Sequence, residues 1–438
     1  MKTRLVIGMG FFAMACFAGA QSAPAPEWRA RLREAVRRAA SQNPELTAME
    51  SRIEASRRRV PQAAVLPDPE IEFGIKDIPP ANPSFSRDDF TMEMVAARQR
   101  FPGFGKRALE VRSAQAEFES MQAEHARHVA EIAAEVADSF FHLAELDRRI
   151  AVAGKTYRRL SDAVVSARER YRVGKGAQAD VLRADLEKTA LEDRLASLKA
   201  ARRSEAARWN ALQNLPADLA VAGVEIAPDI ESWIAPTPVP SQEMLLRQAE
   251  EQSPSVAAAA AALRRAEERL EQARLERRPD WTLSGYYARR EKFEDLAGLS
   301  VSFSLPWVHP RRLEERRAER EAELEAARAD LAVARNILRR DVDQAYAELV
   351  KNREQARFYR ESILPQAEIT YRAASEAYAV GSIDFLTYIR AATDLDTYEA
   401  ESGERDTGIG RAIALLQKAS GLPLIEGTPA AGGNHVEK

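Results

Sequence analysis

Hydrophobic and polar positions along this chain follow two periods. In "LSVSFSLPW", Leu299, Val301, Phe303 and Leu305 alternate with Ser300, Ser302 and Ser304, the period of two that sends successive strand side chains to opposite faces. Ile71, Phe73 and Ile75 likewise share one predicted face with Glu72 opposite; Phe90, Met92, Met94 and Ala96 share one with Thr91 and Glu93 opposite; Trp281, Leu283 and Tyr287 oppose Thr282, Ser284 and Tyr286. Elsewhere the period is helical, predicting helices over about 27–65, 106–173, 178–215, 241–277, 311–379 and 385–420. Two of these are rods of roughly 100 Å at about 1.5 Å rise per residue, longer than any small core can cover. Ile150, Ala153, Tyr157, Leu160, Val164, Ala167 and Tyr171 in one, and Leu331, Ala334, Leu338, Val342, Ala345 and Leu349 in the other, keep coiled-coil spacing, so each rod is expected to pack lengthwise on its neighbours.

Alternation alone fits two ordinary hairpins on a soluble core. Three features favour strands in a membrane: the polar faces carry glutamates and serines suited to a wet lumen, Trp281 and Trp307 stand at strand ends, and the chain begins like a secreted protein. The residues expected to face lipid are Ile71, Phe73, Phe90, Met92, Leu283, Val301 and Phe303. Strands in hydrocarbon must close into a barrel, and the smallest have about eight, so four strands must be shared between copies; three chains would supply twelve. The corners "RFPGFGKR" and "LPWVHPRR" turn strand into helix and place Lys106-Arg107 and Arg311-Arg312 either at headgroup level or at ordinary solvated helix starts.

The N-terminus sharpens this picture. Lys2 and Arg4, an apolar run from Leu5 to Phe17 and "AGA" at 18–20 describe a secretory signal over 1–20, with the mature chain starting at Gln21. Cys16 is the one cysteine; acylation there is the alternative, although "AMAC" lacks the usual Leu three residues earlier. No later segment has the ~18 apolar residues of a spanning helix. Lys plus Arg (64) and Asp plus Glu (67) nearly cancel, which gives no footing to nucleic-acid binding.

The chain also repeats itself. "ERYRVGKGAQADVLRADLE" and "EAYAVGSIDFLTYIRAATD" align without a gap, pairing Tyr171 with Tyr378, Gly174 with Gly381 and Arg183 with Arg390. The expected organisation is a first copy over 21–215 with a hairpin at 70–98, a Pro-rich linker over 216–240, a second copy over 241–423 with a hairpin at 281–305, and a tail over 424–438.

Little in the sequence calls for covalent chemistry. "GKGAQA" lacks the spacing and the preceding strand of a phosphate loop. His125 and His128 have chelating i, i+3 spacing beside Glu124 and Glu131, but His125 falls on the apolar stripe of its rod and no further ligands gather, so no metal or other cofactor is expected. Carboxylates occur as ordinary charged helix faces, and the chain reads as a conduit rather than an enzyme.

The duplicated strand pairs, the "FPGFGKR" corner and the two "Y-x-V-G" turns together resemble the TolC-like outer-membrane efflux channel family, in its heavy-metal and multidrug branch, over about 27–423. The resemblance implies a mainly α protein with a small transmembrane β part: a homotrimer whose twelve-stranded barrel continues into a twelve-helix periplasmic tunnel. It further implies a passive exit duct in the outer membrane that exports metal ions or small toxic compounds, working with a periplasmic adaptor and an inner-membrane pump of the resistance-nodulation-division type. The turn residues Val173, Gly174, Val380 and Gly381 would lie at the periplasmic tip where the adaptor docks. Asp180, Arg183, Thr387 and Arg390 would lie at the pore constriction, where the family's acidic ring is only partly present and mixed Asp and Arg offer salt bridges instead. Two other readings compete: the exit duct of a type I protein secretion system, and a pore-less periplasmic coiled-coil or adaptor-like protein.

Overall fold

The structure, a computed structural model, describes residues 27–81, 83–87, 89–226, 239–422 and 424. The expected signal with Cys16, residues 227–238 of the linker, and the tail apart from Leu424 lie outside the described residues.

Where one opening helix is expected in each half, there are two. Helices α1 (Glu27–Gln42) and α2 (Pro44–Ala63) meet at Asn43, and α5 (Gln242–Gln252) and α6 (Pro254–Leu275) meet at Ser253. Both junction residues precede a proline, whose ring forces them out of helical backbone, to ψ 125 and ψ 122. Asn43 then caps α2, its Oδ1 accepting from Glu45 N–H at 2.9 Å.

The first rod is α3 (Lys106–Arg172, 67 residues), followed by α4 (Gln178–Leu212). The second rod is α7 (Pro310–Phe358), which runs through a π turn at Tyr359–Ile363 into α8 (Leu364–Val380); α9 (Phe385–Ser420) returns alongside. Pro365 in the first turn of α8 has no N–H to donate, and the wider turn just before it passes the defect without breaking the rod. On the seams, Ala153, Leu160, Val164 and Ala167 of α3 and Leu338, Val342, Ala345 and Leu349 of α7 are buried.

Each half carries a hairpin: β1 (Glu70–Lys76) with β2 (Met92–Phe101), and β3 (Trp281–Arg289) with β4 (Leu296–Phe303). They join into one antiparallel sheet of order β1-β2-β3-β4. Residues directly opposite share a face, so the register decides which side chains lie together. Phe73 pairs Val95, Val95 pairs Tyr287, Leu283 pairs Val301, and Trp281 pairs both Phe101 and Phe303. One face therefore holds Ile71, Phe73, Ile75, Val95, Leu283, Leu299, Val301 and Phe303, with Glu93, Gln99 and Arg289 among them, and Phe73 is 76% exposed there. The other holds Glu70, Glu72, Arg98, Ser284, Ser300 and Ser302.

This register corrects three expectations. Glu93, expected opposite the apolar residues, pairs Ile75 and Arg289 and so stands on the face of Phe73. Met92 pairs Lys76, two positions from the Gly74–Met94 pair, and so lies on the polar face with Glu72 and Ser300 rather than with Phe73. The apolar residue of β2 beside Phe73 is Val95. Phe90 precedes β2 and is exposed in the loop, outside the sheet.

The main core sits midway along the helices, where Trp28, Phe140, Phe141 and Trp209 interlock with ring centroids 5.5–6.1 Å apart between Phe140 and its partners. Gly410 lets α9 approach: a Cβ there would meet the Phe141 ring at 2.5 Å.

Candidate functional site

Three features bear on a conduit: the sheet, the corners at its helical end, and the turns at the far end of the rods. Phe101 and Trp281 stack at 4.1 Å at the end of the apolar face. Just beyond, Asp280 accepts from Arg100 at 2.6 Å, Lys106 at 2.7 Å and the Gly103 N–H at 2.8 Å, with its side chain 13% exposed. Burial pushes this carboxyl up, but the hydrogen bonds from Lys106, Arg100 and Gly103 outweigh it and bring it to about 2. An acid from the second half thus fixes the strand-to-helix corner of the first.

At the far end, α3 turns into α4 through Gly174 (φ 72), and α8 into α9 through Gly381 (φ 81). Each turn closes with the same pair of bonds, Gly174 N–H to Tyr171 O and Lys175 N–H to Arg170 O in one, Gly381 N–H to Tyr378 O and Ser382 N–H to Ala377 O in the other. Beyond the glycines the two turns differ. Asp384 caps α9, accepting from Thr387 N–H at 3.0 Å, whereas Ala177 at the matching position leaves α4 without a side-chain cap. Tyr378 stacks on Tyr388 at 5.1 Å and meets Phe385 edge-on at 5.8 Å. The first copy has an exposed Tyr171, Gln178 and Val181 in their places.

Arg170 crosses between the halves: its guanidinium lies 4.8 Å over the Tyr378 ring and donates to the Tyr378 carbonyl. Burial pushes the Tyr378 phenol up, with Arg170 opposing, so the ring stays neutral under the cation. Higher in the wall, Asp396 is 7% exposed, accepts from the Thr156 hydroxyl and pairs Arg159 at 2.8 Å. Burial raises this carboxyl against both partners.

Of the expected constriction residues, Arg183, Thr387 and Arg390 are exposed on the protomer and Asp180 is half-buried. The two copies meet there: hydrogen bonds from Thr387 hold the Asp384 carboxyl below its ordinary range, and the charge of Arg183 adds to the effect. Val173 and Val380 stand open at the turns, Val380 at 81% exposure. Sequence reading missed Asp280, Asp384, Arg170 and the Phe385–Tyr388 pair. An Asp three residues before Thr387 at a helix start was a readable capping signal.

His128 lies 3.6 Å from Glu45 and 3.4 Å from Glu124, and His125 lies 4.0 Å from Glu50. Burial draws the His125 pKa down, with Glu50 opposing. Among the described residues no group of three or more His, Cys, Asp or Glu has metal-binding geometry.

A sheet mainly apolar on one face and mixed, with glutamates and serines, on the other, open at both edges and set over rods joined by paired glycine turns, defines a protomer of an outer-membrane channel. The family model for outer membrane efflux proteins matches residues 35–216 and 245–422, and the chain belongs to that family. The cobalt-zinc-cadmium resistance protein CzcC of Cupriavidus metallidurans is 26% identical over 366 residues, covering 82% of this chain and 82% of that protein. Among solved structures, the outer-membrane channel OprN superposes with a TM-score of 0.76 at 18% identity, covering 92% of this chain and 91% of its own. The outer-membrane protein VceC of Vibrio cholerae gives 0.75 at 17%, covering 90% and 96%. At those identities the likeness is one of fold.

Proposed function

We propose that this outer membrane efflux protein is the passive exit duct for divalent metal cations, built as a homotrimer and joined through a periplasmic adaptor to an inner-membrane pump of the resistance-nodulation-division type. The observation that carries the assembly is the open-edged sheet. Unpaired β1 and β4 edges are untenable in hydrocarbon, so β4 of one copy pairs β1 of the next and three copies close twelve strands. Ile71, Phe73, Leu283, Val301 and Phe303 then face lipid, and the face of Glu72, Ser300 and Ser302 lines the lumen. The two halves, 21–215 and 241–423, act as copies of one unit around the linker 216–240.

At the other end, Val173, Gly174, Val380 and Gly381 form the adaptor contact, since exposed valines on rigid turns suit an apolar partner. Asp180, Arg183, Thr387 and Arg390 ring the constriction, with Arg170 on Tyr378 holding it closed. Likeness to a cobalt-zinc-cadmium resistance protein supports the cargo. A strain lacking the protein should become sensitive to cobalt, zinc and cadmium while keeping its tolerance of dyes and antibiotics. Unchanged metal tolerance, with an exported protein lost instead, overturns the cargo and makes the chain a secretion duct.

A further inference from the structure

Both strand-to-helix corners hang from the segment 278–280. Arg278 donates to the Phe104 carbonyl, and a Cβ on Gly103 would meet Pro279 O at 2.6 Å, so only glycine lets this corner close against it. Asp280 takes Gly103, Lys106 and Arg100 on one side. On the other its backbone shares three bonds with Ser304: its N–H donates to Oγ at 2.8 Å, and its carbonyl accepts from the Ser304 N–H at 2.8 Å and from Oγ at 3.3 Å. The corners are thereby held side by side.

What they expose is unlike an ordinary helix start. Phe104 is 82% exposed, and Trp307 and Val308 stand open on the single turn Pro306–Val308. Lys106 is committed to Asp280 at 2.7 Å. Among the described residues Arg107 and Arg312 have no carboxylate at ion-pair distance, and Arg311 has only Glu315 at 3.8 Å.

We propose that the two corners form a seat for anionic phospholipid at the periplasmic rim of the barrel. Phe104, Trp307 and Val308 enter the inner leaflet at headgroup depth, and Arg107, Arg311 and Arg312 bind lipid phosphates. Position and charge select this occupant. The apolar sheet face ends in Phe101, Trp281 and Phe303, and the corners follow at once, so the surface continues the lipid-facing one. A second copy of the corner would set arginine against arginine, whereas a phospholipid offers negative charge beside an apolar layer.

The seat rests on the barrel reading, and its test keeps the two apart. The full chain, carrying Cys16→Ser and either Phe104→Cys or Trp307→Cys labelled with bimane, is reconstituted in bilayers of phosphatidylcholine with or without phosphatidylglycerol. Brominated lipid of either kind is the quencher, and conductance reports insertion. The expected result is quenching by both, with phosphatidylglycerol preferred by about fivefold per engaged arginine. That preference should fall to near one in the combined Arg107→Gln, Arg311→Gln, Arg312→Gln variant. A conducting protein whose label is not quenched, or is quenched equally by both lipids, or keeps its preference in the triple variant, overturns the seat alone. Failure to insert overturns the barrel reading.

Discussion

Asp280 ties the barrel to the tunnel, and replacing it with Asn should loosen that joint by an amount the geometry sets. Its carboxyl is brought from the ordinary 3.8 to about 2 by Lys106, Arg100 and the Gly103 N–H acting against burial, a difference of about 2 kcal/mol per chain. Because the folded value lies below the unfolded one, this stabilisation is complete above about pH 5 and disappears as pH falls through about 2. At pH 3 about half of it, ~1 kcal/mol, remains. Asp280→Asn removes the charge at every pH and leaves Lys106 half-buried without its partner. Equilibrium guanidinium unfolding in detergent micelles, followed by circular dichroism and Trp fluorescence, should therefore separate wild type from variant by about 2 kcal/mol at pH 7 and ~1 kcal/mol at pH 3. A difference of the same size at both pH values, or none at pH 7, would refute the assignment of that stability to the ionised carboxylate.

Adjacent residues of β4 should answer oppositely to the same charge. Val301→Asp puts a carboxylate on the face of Leu283 and Phe73, proposed to meet lipid, at a cost of roughly 2 kcal/mol per chain and should abolish outer-membrane assembly, while Ser300→Asp should assemble normally, as scored by membrane fractionation. Arg170→Ala removes a carbonyl hydrogen bond and a cation–π contact that together contribute ~2 kcal/mol per chain, so the closed-to-open ratio should fall by about 30-fold for each chain that opens, read as a higher open fraction in single-channel recording; an unchanged closed state would remove Arg170 from the gate. Gly410→Ala drives a methyl into the Phe141 ring and should cost about 1–3 kcal/mol in unfolding experiments while leaving conductance per assembled channel unaltered.

Periodicity made the rods and strands legible because it depends on each residue's own polarity. Leu338, Val342, Ala345 and Leu349 are buried along one stripe, as their spacing predicts. Pairing is different in kind. Read strand by strand, Met92 looks lipid-facing because its alternate neighbours Met94 and Ala96 are apolar too, and only the register with β1 puts them with Glu72. Val95, the residue that belongs with Phe73, is flanked by apolar residues and carries no alternation signal. The breaks at Asn43 and Ser253 were local and readable, since each precedes proline. Asp280 was not, because its partners Arg100, Gly103 and Lys106 lie on the other half of the chain. The same distance hid Arg170 under Tyr378, and the repeat itself misled there, since the matching Tyr171 is exposed.

The most direct test of the conduit is electrical. Purified full-length protein, added to a planar lipid bilayer and sized in parallel by cross-linking, should form trimers that give discrete, long-lived conductance steps, larger and more often open in Arg170→Ala. A water-soluble monomer that leaves the bilayer silent, with and without that substitution, would contradict the account.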